Sequence, residues 1–110
     1  MTTDLLTDWN RANQRYLRAA LARLCIQLTS GDSRTAEQEA VAAVAAMPAP
    51  AAIDQLAAIF GLSPFEADLL LLCAGAELDP AVAVACATAH GDPQRTRPTA
   101  GLALARLAQA

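Results

Sequence analysis

Cys86 and His90 stand four residues apart, a spacing that places two metal-ligating side chains on one face of a helix. Two ligands do not close a zinc site, which takes three or four. Cys73 could join them only if the fold delivered it. A core cysteine and a helix-end histidine are the plainer assignment. Glu77 and Asp79 form an acidic pair, but neither has a nucleophile or base beside it, and cap and loop duty accounts for both. Nucleotide chemistry finds no support either. There is no Gly-rich phosphate loop, and a P-loop also needs its lysine. All eight basic side chains are arginine. No residue set in the chain can perform catalysis by itself, and no metal or cofactor site is expected. The chain should neither bind nor hydrolyse ATP.

The remaining chemistry lies in charge. Arg11, Arg15 and Arg18 fall on the polar side of the first helical pattern, with Arg23 at its margin. A solvated face is the ordinary reading of such a stripe. A contact surface for an acidic partner or a neighbouring subunit is the other. The net charge is −3 and the pI about 4.9. Nucleic-acid binders carry a basic face, so the balance argues against nucleic acid as the partner.

The elements that position these residues are helical. Hydrophobic residues make up 55% of the 110, and 28 residues are alanine. Alanine favours helix and buries little area, so close packing is expected with a modest gain per contact. Thr7 or Asp8 can cap a first long helix over residues 7–29. In it Trp9, Ala12, Tyr16, Ala20, Leu24 and Leu28 recur at three- and four-residue steps. Ser30-Gly31-Asp32-Ser33 stops it. Residues 30–52 hold a second helix, opened by a Thr35/Gln38 capping box, and a stiff Pro48-Ala49-Pro50 connector.

Residues 53–110 form the expected core. Ile53, Leu56, Ala57 and Phe60 mark a short helix with one apolar stripe. Gly61 suits the left-handed end of that helix. Ser63, Pro64 and Glu66 then write a capping box with proline at the first helical position. Leu69-Leu70-Leu71-Leu72 follow, covering more than one face, so this helix should be wrapped by others. Asp79 and Pro80 open the next helix, Gly91 closes it, and Thr99 caps a last one that still reads as apolar at Ala110. The small residue Ala57, with Gly61 four positions on, fits a helix-turn-helix. Its second helix offers Phe65, Glu66 and Asp68 where a DNA reader has polar or basic side chains. Carboxylates there would repel phosphates.

Cys25, Cys73 and Cys86 are odd in number and widely spaced, which suggests buried free thiols in a reducing compartment. The N-terminal MTTDLLTDWNR has no basic region followed by an apolar core, so no signal peptide is expected. A cytoplasmic location and no membrane contact follow.

Several stretches carry a family likeness: Asn13-Gln14-Arg15-Tyr16-Leu17, then Phe60-Gly61-Leu62-Ser63-Pro64-Phe65-Glu66 and Asp68-Leu69-Leu70-Leu71-Leu72-Cys73-Ala74. Glu77-Leu78-Asp79-Pro80, Gly91-Asp92-Pro93, Pro98-Thr99 and Gly101-Leu102-Ala103-Leu104 continue it. In this order they resemble the N-terminal helical region, with its variant winged-helix element, of bacterial AAA-type ATPases. These ATPases occur in gene clusters for phage-tail-like contractile injection systems. Residues 30–52 fall outside the resemblance, and Ala100 stands where the family tends to have an aromatic residue.

The resemblance implies a non-catalytic protein-interaction or regulatory domain, a fragment of a longer ATPase. ATP and magnesium would belong to the motor module, and no nucleotide residue is carried onto this chain. The expected fold is all-α, a bundle of five to six helices with a helix-turn-helix and no substantial sheet. The expected partner is a protein or neighbouring subunit, engaged partly through Arg11, Arg15 and Arg18. A free-standing transcription-factor-like helix-turn-helix module is the alternative.

Overall fold

The computed structural model describes residues 2–107, and the side-chain surroundings of residues 5–107. Among them six helices run in chain order: α1 (Thr2–Leu28), α2 (Arg34–Ala45), α3 (Ala52–Phe60), α4 (Pro64–Leu78), α5 (Pro80–His90) and α6 (Ala100–Arg106). No strand occurs among the described residues, so the all-α expectation holds. Residues 108–110, to which the sequence extends the apolar pattern of the last helix, lie outside the described part.

Each helix end has a local cause. Gly61 and Gly91 adopt left-handed conformations, with φ of 64° and 70°, and end α3 and α5 as expected. Ser63 Oγ accepts from the Glu66 backbone N–H at 3.2 Å, and Glu66 Oε1 accepts from the Ser63 N–H at 2.8 Å. This reciprocal box satisfies two otherwise orphaned donors at the start of α4. The hydrogen bond from the Ser63 backbone, and then that from its side chain, hold the Glu66 carboxyl below the usual range. Asp79 caps α5 through the Ala81 N–H, and Thr99 caps α6 through the Leu102 N–H.

Two expected starts differ. α1 begins at Thr2 rather than at a Thr7 or Asp8 cap. No glycine or proline interrupts residues 2–9, and Leu5 and Leu6 are strong helix formers, so the helix runs on with both leucines exposed. The Thr35/Gln38 box does not form, because α2 starts two residues earlier, at Arg34, with Ser33 in the cap position. Asp32 Oδ1 accepts from the Arg34 backbone N–H at 3.1 Å while its carboxylate also holds the Arg34 guanidinium at 2.8 Å. One side chain thus satisfies the backbone and a charge together. α1 itself ends in a Schellman turn. Ser30 takes φ of 60°, and the Ser30 and Gly31 N–H groups bond Gln27 and Ile26 carbonyls. A Cβ on Gly31 would lie 2.9 Å from Ile26 Cγ2, so any side chain there would require Ile26 to shift, and glycine fits.

The core joins α1, α4, α5 and α6. Leu24, Leu28, Leu72, Val82 and Cys86 are its most deeply buried large side chains, with Leu21, Leu71, Leu102, Ala103 and Leu107 around them. α4 and α5 are separated by Asp79 alone and bend by 113°, so both face α1. The four leucines of α4 are split by this arrangement. Leu71 and Leu72 are buried, Leu69 packs at the margin, and Leu70 is 42% exposed. Leu70, Cys73, Ala74 and Glu77 form an open stripe at three- and four-residue steps. α4 is therefore not wrapped on all sides, and Cys73, expected to be buried, is exposed. Cys25 is half-buried and Cys86 buried. α3 buries no residue completely: Ile53 touches the core, while Leu56 and Phe60 of the expected stripe remain exposed. Among the described residues no single helix is long and apolar enough to cross a membrane.

Candidate functional site

α3, the Gly61-Leu62-Ser63 turn and α4 form the helix-turn-helix. The turn is closed by the Leu62 N–H on the Ala57 carbonyl at 2.9 Å. α3 has no side-chain cap of its own, since Ala51 occupies the cap position. Asn13 of α1 supplies one from outside, its Oδ1 accepting from the Ala52 N–H at 3.0 Å. Two donors then fix the preceding connector: Trp9 Nε1–H and Gln55 Nε2–H both reach the Pro50 carbonyl, at 3.1 and 2.8 Å. The first half of α1 thus sets where α3 begins. These contacts are not legible in the sequence. Its only trace of them is a polar Asn13 among apolar positions.

The first turns of α4, where a DNA reader would place its contacts, are engaged within the domain. Phe65 packs against the core. Glu66 closes the capping box. Asp68 makes a two-pronged pair with Arg23 of α1, at 2.7 Å from Nη2 to Oδ1 and 3.3 Å from Nη1 to Oδ2. Arg23 Nη1 also donates to Gln27 Oε1 at 2.9 Å. Both partners of the pair are about one-fifth exposed. The sequence placed Arg23 at the margin of the arginine face and Asp68 in the open. The structure instead pairs them across 45 residues, because α4 lies along the side of α1 that Arg23 faces.

A cleft of about 480 Å³ runs between α1, α3 and α4, lined among others by Tyr16, Arg23, Asp54, Leu62 and Asp68. Burial, and then the nearby Asp54 carboxylate, raise the Tyr16 hydroxyl above its ordinary pKa, so it stays protonated at neutral pH. Asp68→Asn should weaken the tie between α1 and the helix-turn-helix and cost about 1–2 kcal/mol. Adding Arg23→Gln should cost less than the sum of the two single changes, because they share one interaction. Urea denaturation of the four proteins checks this, and strict additivity would rule the coupling out.

Arg11, Arg15 and Arg18 are all exposed and take part in no ion pair among the described residues. Arg15 and Arg18 line one concavity of about 530 Å³ with Ala19, Ala22 and Glu39 of α2. Arg11 lies one turn before them on the same stripe.

The other candidates separate. Burial raises the Cys25 and Cys86 thiols above their ordinary pKa, which favours the protonated thiol over the thiolate. His90 Nε2 lies 3.0 Å from the Arg97 carbonyl and ties the loop over residues 91–98 back to α5. Among the described residues no group of three or more His, Cys, Asp or Glu side chains could hold a metal. Glu77 faces Arg97 at 3.5 Å, while Asp79 is a cap, so that acidic pair divides into a surface contact and a helix start.

A helical bundle carrying a helix-turn-helix, with no strand among its described residues to form a wing, is the class defined by this geometry. The family model of the winged helix domain, variant, matches residues 8–110. The chain belongs to that family. No curated protein and no solved structure matches it.

Proposed function

We propose that this winged-helix domain is a non-catalytic protein-interaction module of a cytoplasmic AAA-type ATPase linked to contractile injection systems. The first turns of α4 carry the protein-binding part of this reading. Base readout needs free polar or basic side chains on that helix, and here Phe65, Glu66 and Asp68 are committed inside the domain. The α3 surface beside the turn is apolar instead, with Ile59 73% and Phe60 69% exposed. Exposed apolar side chains of this size suit a protein surface better than a phosphate backbone. The ATPase part rests on the resemblance, with ATP and magnesium confined to the motor module.

Two measurements test the two parts separately. Titration against a pool of DNA duplexes at moderate salt should give no sequence-selective binding. Tight, sequence-selective binding would overturn the protein-interaction reading and favour a transcription factor. Reading the gene beyond the Ala110 codon should reveal a Walker A motif, and a frame without one would remove the ATPase assignment.

A further inference from the structure

Of the eight arginines, Arg23, Arg34 and Arg97 are paired with carboxylates, and Arg106 donates to Ser30 Oγ. Arg11, Arg15 and Arg18 have no carboxylate among the described residues, yet they form a single row. Their spacing of four and then three residues keeps them on one stripe of α1. At 1.5 Å per residue the row is about 10 Å long. Ala22 continues it by one further turn and is exposed. The row flanks the buried side of the helix, where Leu17, Leu21, Leu24 and Leu28 enter or border the core. Arg15 and Arg18 line a concavity together with Ala19, Ala22 and Glu39 of α2, and Arg11 extends the row beyond it.

Shape and charge together select an occupant. The small alanines leave room for a helix to lie close against α1, and the guanidiniums along one edge call for carboxylates at matching steps. We infer that this row is the docking surface for an acidic amphipathic helix of the partner protein. Its Asp or Glu side chains would repeat at three- and four-residue steps, and small apolar residues would lie over Ala19 and Ala22. A nucleic-acid strand fits less well. The chain carries 11 acidic side chains against eight arginines. Glu39 stands in the same concavity and would face a phosphate backbone directly, whereas a peptide can place a neutral residue opposite it. The inference rests on the protein-interaction reading but not on the ATPase assignment, which the downstream gene sequence tests independently.

The probe is a fluorescein-labelled, alanine-rich helical peptide with glutamates at positions i, i+4 and i+7. Its glutamine counterpart and a DNA duplex of arbitrary sequence serve as comparisons, all read by anisotropy against the full chain. The glutamate peptide should bind, weaken with added salt, and bind more tightly than either comparison. Arg11→Gln, Arg15→Gln and Arg18→Gln combined should weaken it by roughly tenfold or more. The three changes to lysine should keep most of the binding, since they preserve charge. Arg95→Gln, at an exposed arginine in the loop over residues 91–98 and outside the row, should leave it unchanged. The exposed positions make loss of folding an unsuitable explanation, and an unchanged melting temperature verifies this. The inference is overturned if the glutamate peptide does not bind, if the glutamine peptide binds equally, or if the triple glutamine variant binds like the parent. DNA bound more tightly than peptide, through the same three arginines, would also overturn it.

Discussion

Leu72→Asp is expected to bring the domain close to unfolding, while Leu70→Asp, two residues away on the same helix, is expected to be mild. Leu72 has no exposed surface and packs in the cluster that includes Leu24, Val82 and Cys86. Among the described residues no polar or charged side chain is buried, so a carboxylate there would find no partner. The loss should be about 4 kcal/mol or more, a large share of the stability of a small domain. Leu70 keeps 42% of its surface in water. An aspartate there can turn outwards, and a loss of about 1 kcal/mol or less is expected, mostly from helix propensity and a little apolar contact. Guanidinium denaturation followed by far-UV circular dichroism separates the two. Equal losses would mean that α4 is rotated differently about its axis.

Gly75→Val should cost about 3 kcal/mol, at the upper end of overpacking effects. A Cβ on Gly75 would lie 2.7 Å from Leu21 Cδ2 and 3.2 Å from Val82 Cγ2. Glycine in mid-helix loses up to about 1 kcal/mol of propensity relative to alanine. Here that loss accompanies the close approach of α1 and α5 to the inner face of α4. Leu21 is 5% exposed and Val82 is fully buried, so neither can swing into solvent to make room. Alanine regains part of the propensity, and its net effect should be smaller. The second-site change Leu21→Ala should recover part of the loss in Gly75→Val, although it is damaging alone, because it removes the atom in the way. A Gly75→Val protein that melts with the parent would exclude this close approach.

The helix ends that proved legible in the sequence share one property. Gly61, Ser63 with Glu66, Asp79, Gly91 and Thr99 each close a hydrogen bond, or adopt a dihedral, within a few residues along the chain. Their energetics are complete in the local sequence, so residue type and spacing suffice. The missing lysine and absent phosphate loop are equally local. The Asp32 start of α2 is local too. Thr35/Gln38 and Asp32/Arg34 offer competing starts within a few residues, and the side chain that also binds a guanidinium prevails.

What only the tertiary structure decided concerns which way a helix faces. Four adjacent leucines cannot reveal that Leu72 points inwards and Leu70 outwards, since the answer depends on where α1 and α5 lie. Arg23 and Asp68 look like surface charges on separate amphipathic helices until those helices are set side by side. Asn13 caps a helix 39 residues away. Gly75 looks like a weak point until the two side chains that occupy its missing Cβ are in place. The unpaired state of Arg11, Arg15 and Arg18 belongs here as well. The sequence puts them on one stripe of a helix, but only the positions of the other five helices determine that no carboxylate among the described residues reaches them. Contacts of this kind join residues tens of positions apart, and the relative orientation of packed helices, rather than local spacing, determines them.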